Sequence, residues 1–87
     1  MRLVLVGWGA IGAEVARLLE ARNAPVDLVG VAMRDAGRTL PCPVITDPAD
    51  LDALRPDLVV EAAGRAAVMP WGEAALRAGA DFAPAST

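Results

Sequence analysis

The chain has 87 residues, 55% of them hydrophobic and 22% charged, with a formal net charge of −3. That length suits one domain with a small core, and the composition excludes a disordered chain. The acidic balance argues against a general binder of nucleic acid or of an anionic membrane, which needs a basic face, and no apolar run reaches the ~18 residues of a membrane span.

Arg2–Val6 is a short apolar run with Val at alternate positions and reads as a buried strand. Met1-Arg2 before an apolar run superficially matches a leader peptide. The glycine spacing and Glu14 that follow speak against one, and the cytoplasm is the expected compartment. Ile11–Arg22 is helical, with Ile11, Val15, Leu18 and Leu19 on one stripe and Glu14, Arg17 and Glu20 off it. Asn23-Ala24-Pro25 ends that helix.

Between strand and helix stands Gly7-Trp8-Gly9-Ala10-Ile11-Gly12, a G-x-G-x-x-G turn. Gly7 permits the tight exit from the strand. Gly9 lets backbone approach a pyrophosphate, and Gly12 lets the helix lie close on the strand. Free amides near Ala10 and Ile11, with the helix dipole, would face the anion. The motif alone is weak evidence; an apolar strand before it and an amphipathic helix after it supply the confirming context. The alternative is glycine kept for packing alone, with Trp8 at the rim of the turn as a lid.

Asp27–Met33 is a second strand, apolar on both faces as a sheet covered by helices demands. An acid that would hold both hydroxyls of an NAD ribose is expected at its end. Met33 stands there instead, followed by Arg34, with Asp35 and Arg38 in the next loop. Without the acid a 2′-phosphate meets no repulsion, and Arg34, helped by Arg38, would pair with it. The expectation is NAD or NADP, with a lean to NADP tolerance. In the competing reading both arginines are solvated and Asp35 reaches back to the ribose.

Arg34–Pro43 is a polar loop that contains the single cysteine, Cys42. One Cys cannot form an internal disulfide, no metal-ligand spacing is present, and Cys42 reads as a small buried or loop residue. Val44–Thr46 is a third strand. Asp47 as N-cap and Pro48 at the first position open a short helix, closed by Pro56. Leu58–Ala62 is the fourth strand, and Ala63 and Gly64 just after it line the expected site. Glu61 could bind ligand or cap the next helix; capping is favoured. Arg65 could help an anionic substrate, although a surface arginine is the commoner case. A helix from about Ala67 or Pro70 to Ala78 follows, with Gly79 as its C-terminal cap. Asp81–Ala83 begins a fifth strand, with Pro84 at an edge or past its end.

Strand–helix alternation with short loops predicts a Rossmann-type α/β fold, a doubly wound parallel sheet in the order 3-2-1-4-5. The chain stops directly after strand five, where a further loop and helix would begin. A fragment of a longer protein is therefore expected, with an incomplete C-terminus and residues 1–87 as its NAD(P)-binding domain. An edge strand and an uncovered sheet face are compatible with a homo-oligomer.

Three stretches, "MRLVLVGWGAIGAEVARLLE", "DLVGVAMRD" and "PDLVVEAAGRAAVMPWGEAALRAGADF", resemble the amino-terminal domain of the L-aspartate dehydrogenase family. Homoserine dehydrogenase, dihydrodipicolinate reductase and the glucose-fructose oxidoreductase group open similarly. The resemblance implies NAD(P)-dependent deamination of aspartate to iminoaspartate, or amination of oxaloacetate. It also implies a second, α+β domain with substrate contacts and a catalytic His. This chain has no His, so no catalytic residue is assigned within it. By resemblance Gly7, Gly9, Ala10, Ile11, Gly12, Ala63 and Gly64 are cofactor positions, and Ser86 and Thr87 open the loop near the nicotinamide. Met33 departs from the family acid and Arg65 from a frequent His. The rival expectations are a stand-alone NAD(H)-binding or sensing module, and a relic that dimerises and binds nothing.

Overall fold

Successive side chains of a strand point to opposite faces, and in β1 (Arg2–Val6) both sets are apolar. Leu3 and Leu5 enter one cluster with Val31; Val4 and Val6 enter another with Leu51, Val59 and Trp71. A strand buried on both sides needs helices on both faces of its sheet. The computed structural model has that arrangement. It describes every residue except Ala24, 35–39, Pro41 and Thr87, and for Ala10 and Ile11 the backbone only.

After β1 come α1 (Ala10–Ala21), β2 (Asp27–Ala32), β3 (Val44–Ile45), a 3₁₀ helix (Pro48–Leu54), β4 (Leu58–Glu61), α2 (Arg65–Arg77) and β5 (Asp81–Pro84). The strands lie in the expected order 3-2-1-4-5, and every pairing is parallel. Strands two, three and four were expected to run one residue further. Met33 and Ala62 do still donate backbone bonds to Ile45 and Val6, at 3.0 and 2.8 Å, so the ladder reaches them as the chain turns away.

On one face, Val15 and Leu19 of α1 pack on Leu3, Leu5 and Val31. Leu18, expected on the same stripe, remains 36% exposed, because the sheet takes up the i, i+4 pair and not its neighbour. Asn23 adopts a left-handed φ of 50° just past α1, a common way to end a helix. Half-buried Cys42 joins this cluster, and burial pushes its thiol pKa up.

On the other face, the 3₁₀ helix is held at three points. Asp47 accepts the Ala49 amide at 2.9 Å with Pro48 at the first position, as its sequence indicated. Leu51 is fully buried. At the far end the Arg2 guanidinium donates to the carbonyls of Leu54 (2.7 and 3.1 Å) and Arg55 (3.1 Å), placing a cation on the negative end of the helix.

The second α-helix starts at Arg65, not at Ala67 or Pro70 as expected, and Pro70 lies within it. Pro70 has no N–H for the Ala66 carbonyl, yet the helix continues because Trp71, Gly72 and Ala75 are buried against the sheet. β5 forms the edge beyond β4, with Pro84 opposite Glu61. Among the described residues no helix is long and apolar enough to cross a membrane.

Leu51→Ala should cost about 2–5 kcal/mol through the cavity it leaves. A domain of this length has only about 4–13 kcal/mol in total. Urea denaturation should show a much lower midpoint with an unchanged slope.

Candidate functional site

In a parallel sheet all carboxyl ends emerge on one edge, and ligands sit where the strand order reverses. Here the reversal lies between β1 and β4. The ends of β1 to β4 border a cleft of about 530 Å³.

The backbone leaving β1 passes in contact with that leaving β4. Gly7 has φ +100°, and a Cβ there would lie 3.0 Å from the Ala62 carbonyl oxygen and from Cα and Cβ of Ala63. Its amide donates to the Ala32 carbonyl at 2.7 Å, tying the turn to β2 as well. Behind the turn, a Cβ on Gly12 would come within 2.6 Å of the Gly7 carbonyl oxygen, so α1 rests directly on the loop. Gly9 differs: nothing lies within 4 Å of its Cβ position. It is the N-cap of α1, and among the described residues no side chain caps the helix. The first-turn amides therefore have no partner inside the helix and stand at an open edge of the cleft.

Gly7, Gly9, Met33, Arg34, Ala63 and Gly64 all border the cleft. Gly12 lies buried behind it, in the packing role its position suggested. Ala10 and Ile11 open α1; their side chains, and the expectations placed on Asp35, Arg38 and Thr87, lie outside the described residues. Trp8 is half-buried, packed on the α1-side cluster while lining the cleft. Met33 also packs partly into that cluster, and Arg34 is exposed. Among the described residues no carboxylate borders the cleft.

Thr46 and Trp71 are among the lining residues missed in the sequence. Thr46 follows β3 and faces the same cleft. Its signal was available, since a parallel third strand must end at the same edge. Trp71, only 9% exposed, comes in from α2. Nothing local marks it, because α2 starts earlier than the expected helix.

Glu61 is fully buried at the end of β4. Its Oε2 accepts from the amides of Ala63 (2.8 Å) and Gly64 (2.7 Å) and from Oγ of Ser86 (2.8 Å); its Oε1 accepts from the Ser86 amide (3.1 Å). The expectation of helix capping is met only at the N-cap itself: Glu61 accepts the amide of Gly64, and among the described residues no side chain accepts the first-turn amides of α2. The carboxylate instead holds the turn before the helix and the segment after β5. Burial raises its pKa, but the Gly64 amide, the Ser86 hydroxyl and the amides of Ala63 and Ser86 outweigh that and hold it below the ordinary value.

A second cleft, of about 520 Å³, lies between the 3₁₀ helix and α2 and is bordered by Asp47, Asp52, Glu73 and Arg77. Its size is similar but its chemistry is not. Three carboxylates there repel phosphate, whereas the strand-end cleft offers backbone amides and one arginine.

The NAD-binding domain of homoserine dehydrogenase, as a family model, matches residues 7–87. The chain belongs to that NAD-binding domain family. This domain is similar to an L-aspartate dehydrogenase of Brucella anthropi, 53% identical over 90 residues, covering 98% of this chain and 34% of that protein. Among solved structures, C. glutamicum DAP dehydrogenase in complex with DAP superimposes with TM-score 0.76 at 27% identity, covering 99% of this chain and 27% of the other. An engineered D-amino acid dehydrogenase bound to NADP+ superimposes with TM-score 0.71 at 29% identity, covering 97% and 26%. The NAD-binding domain spans about a third of the length of the curated relatives it matches.

Because folding lowers the pKa of Glu61, the unfolded chain takes up the proton first. The stabilisation is complete above the ordinary value of about 4.5 and is lost as pH falls through the lower folded value. Thermal melts from about pH 6 to about pH 3 should show this acid limb. Glu61→Gln should flatten it and cost about 1–3 kcal/mol at neutral pH, because an amide NH₂ replaces an acceptor.

Proposed function

We propose that the strand-end cleft binds NAD(P) and that the chain is the cofactor half of a two-domain oxidoreductase of the L-aspartate dehydrogenase kind. The observation that carries the binding site is the bare backbone at Gly7, Gly9 and Gly64, all bordering one cleft. Gly9 leaves open the space beside uncapped helix amides, which suits a pyrophosphate. Ala63 and Gly64 form the opposite wall, where the nicotinamide ribose has room. Ala10 and Ile11 contribute first-turn amides, and Gly12 keeps the helix close behind them.

The choice of reaction rests on the 53% identity to an L-aspartate dehydrogenase. The reaction would move a hydride from Cα of L-aspartate to the oxidised nicotinamide and a proton from the amine to a base, leaving iminoaspartate, which water hydrolyses to oxaloacetate with release of ammonia. The nicotinamide supplies the hydride chemistry, and this chain binds and orients it. With no His in its sequence, a general base of that type must come from the remainder of the protein.

Arg34 is the specificity residue of this proposal. It is exposed at the cleft rim beside Met33, where a carboxylate would have opposed a 2′-phosphate. NADPH therefore binds at least as tightly as NADH.

A fluorescence titration tests both statements, because Trp8 and Trp71 line the cleft. Reduced dinucleotide should quench them saturably. Arg34→Ala should weaken NADPH about five- to tenfold, the loss of one exposed charge-assisted contact, and leave NADH unchanged. Equal effects on both cofactors would remove Arg34 from the assignment, and a folded protein without quenching would remove the site.

A further inference from the structure

Glu61 is a buried carboxylate held by hydrogen-bond donors. Among the described residues no cation pairs with it, and it does not itself line the cleft. Its four donors belong to two segments far apart in the chain: the Ala63–Gly64 turn and Ser86, which follows β5. Resting on the dinucleotide reading of the cleft, we propose that Glu61 is a positioning residue, coupling occupancy of the cleft to the chain leaving β5 through Ser86.

The donors are unevenly shared. Oε2 takes three and Oε1 takes one, while a carboxylate oxygen has about two lone-pair sites. The turn amides and the Ser86 hydroxyl thus compete for the same oxygen. A shift of the turn changes the bond left for Ser86. The turn is also pressed against the position of Gly7, so a ligand seated between Gly9 and Gly64 settles it in one place. Ser86 then takes one arrangement as well. The Ala85 amide, bonded to the Glu61 carbonyl at 2.8 Å, keeps the exit of β5 next to the carboxylate throughout. Coupling of this kind is reciprocal: whatever orders Ser86 tightens the cleft.

Ser86→Ala removes one hydroxyl and leaves the carboxylate and both turn amides in place, so folding is at little risk. The full chain is titrated with NADH and NADPH, and hydrogen exchange of the Ser86 amide is followed with and without ligand. In the wild type, ligand should slow that exchange. In Ser86→Ala the dissociation constant should rise about fivefold, and the ligand-induced slowing should disappear. Ser86→Thr, which restores a hydroxyl, should recover both. Glu61→Gln should act in the same direction and more strongly. If the wild type binds and Ser86→Ala matches it in affinity and in ligand-induced slowing, Glu61 is only a structural brace and the coupling is overturned. If the wild type binds neither dinucleotide, the reading of the cleft fails and takes the coupling with it.

Discussion

The cleft depends on how closely the backbone leaving β1 passes the backbone leaving β4. At Gly7 they are so close that an added Cβ would lie 3.0 Å from Ala62 and Ala63, and the φ of +100° strains any side chain there. Because they touch, the turn after β1 and the turn after β4 become two walls of one cleft. Because Gly12 is equally bare, α1 can rest on the same turn and bring its free amides to the edge. A side chain at either position would push the walls or the helix apart and leave separate surface loops.

That contact is held in place by a sheet covered on both sides. β1 divides its side chains between two cores, so neither face of the central strand can shift without exposing apolar surface. The 3₁₀ helix is short and, by itself, weak. Its first-turn cap at Asp47 and its anchor at Leu51 are local, whereas its C-terminal cation, Arg2, comes from the far end of the chain. Arg2 thereby locks the cover of one face to the first residue of the central strand.

Among the described residues the site carries little charge. Its lining is mainly glycine, alanine and tryptophan, with Arg34 at the rim, and the buried Glu61 carboxylate does not line it. Glu61 keeps its charge in a buried place only because four neutral donors surround it. Its lone pairs face the amides of the turn and the Ser86 segment, not the cleft.

The sequence by itself determined the strand order, the glycine turn, the Asp47 cap and the edge position of β5. Each rests on a local rule: an apolar run, a residue that alone fits a backbone shape, or a side chain that bonds two residues away. The tertiary structure decided what crosses between elements. Leu18 lies at the surface although its helical stripe says otherwise, because the sheet meets only Val15 and Leu19. Pro70 lies inside α2, because buried Trp71 and Ala75 outweigh one missing hydrogen bond. Trp71 reaches the cleft, and Glu61 bonds Ser86 across 25 residues. No local pattern encodes such contacts, since they exist only once parallel strands have brought distant carboxyl ends to one edge.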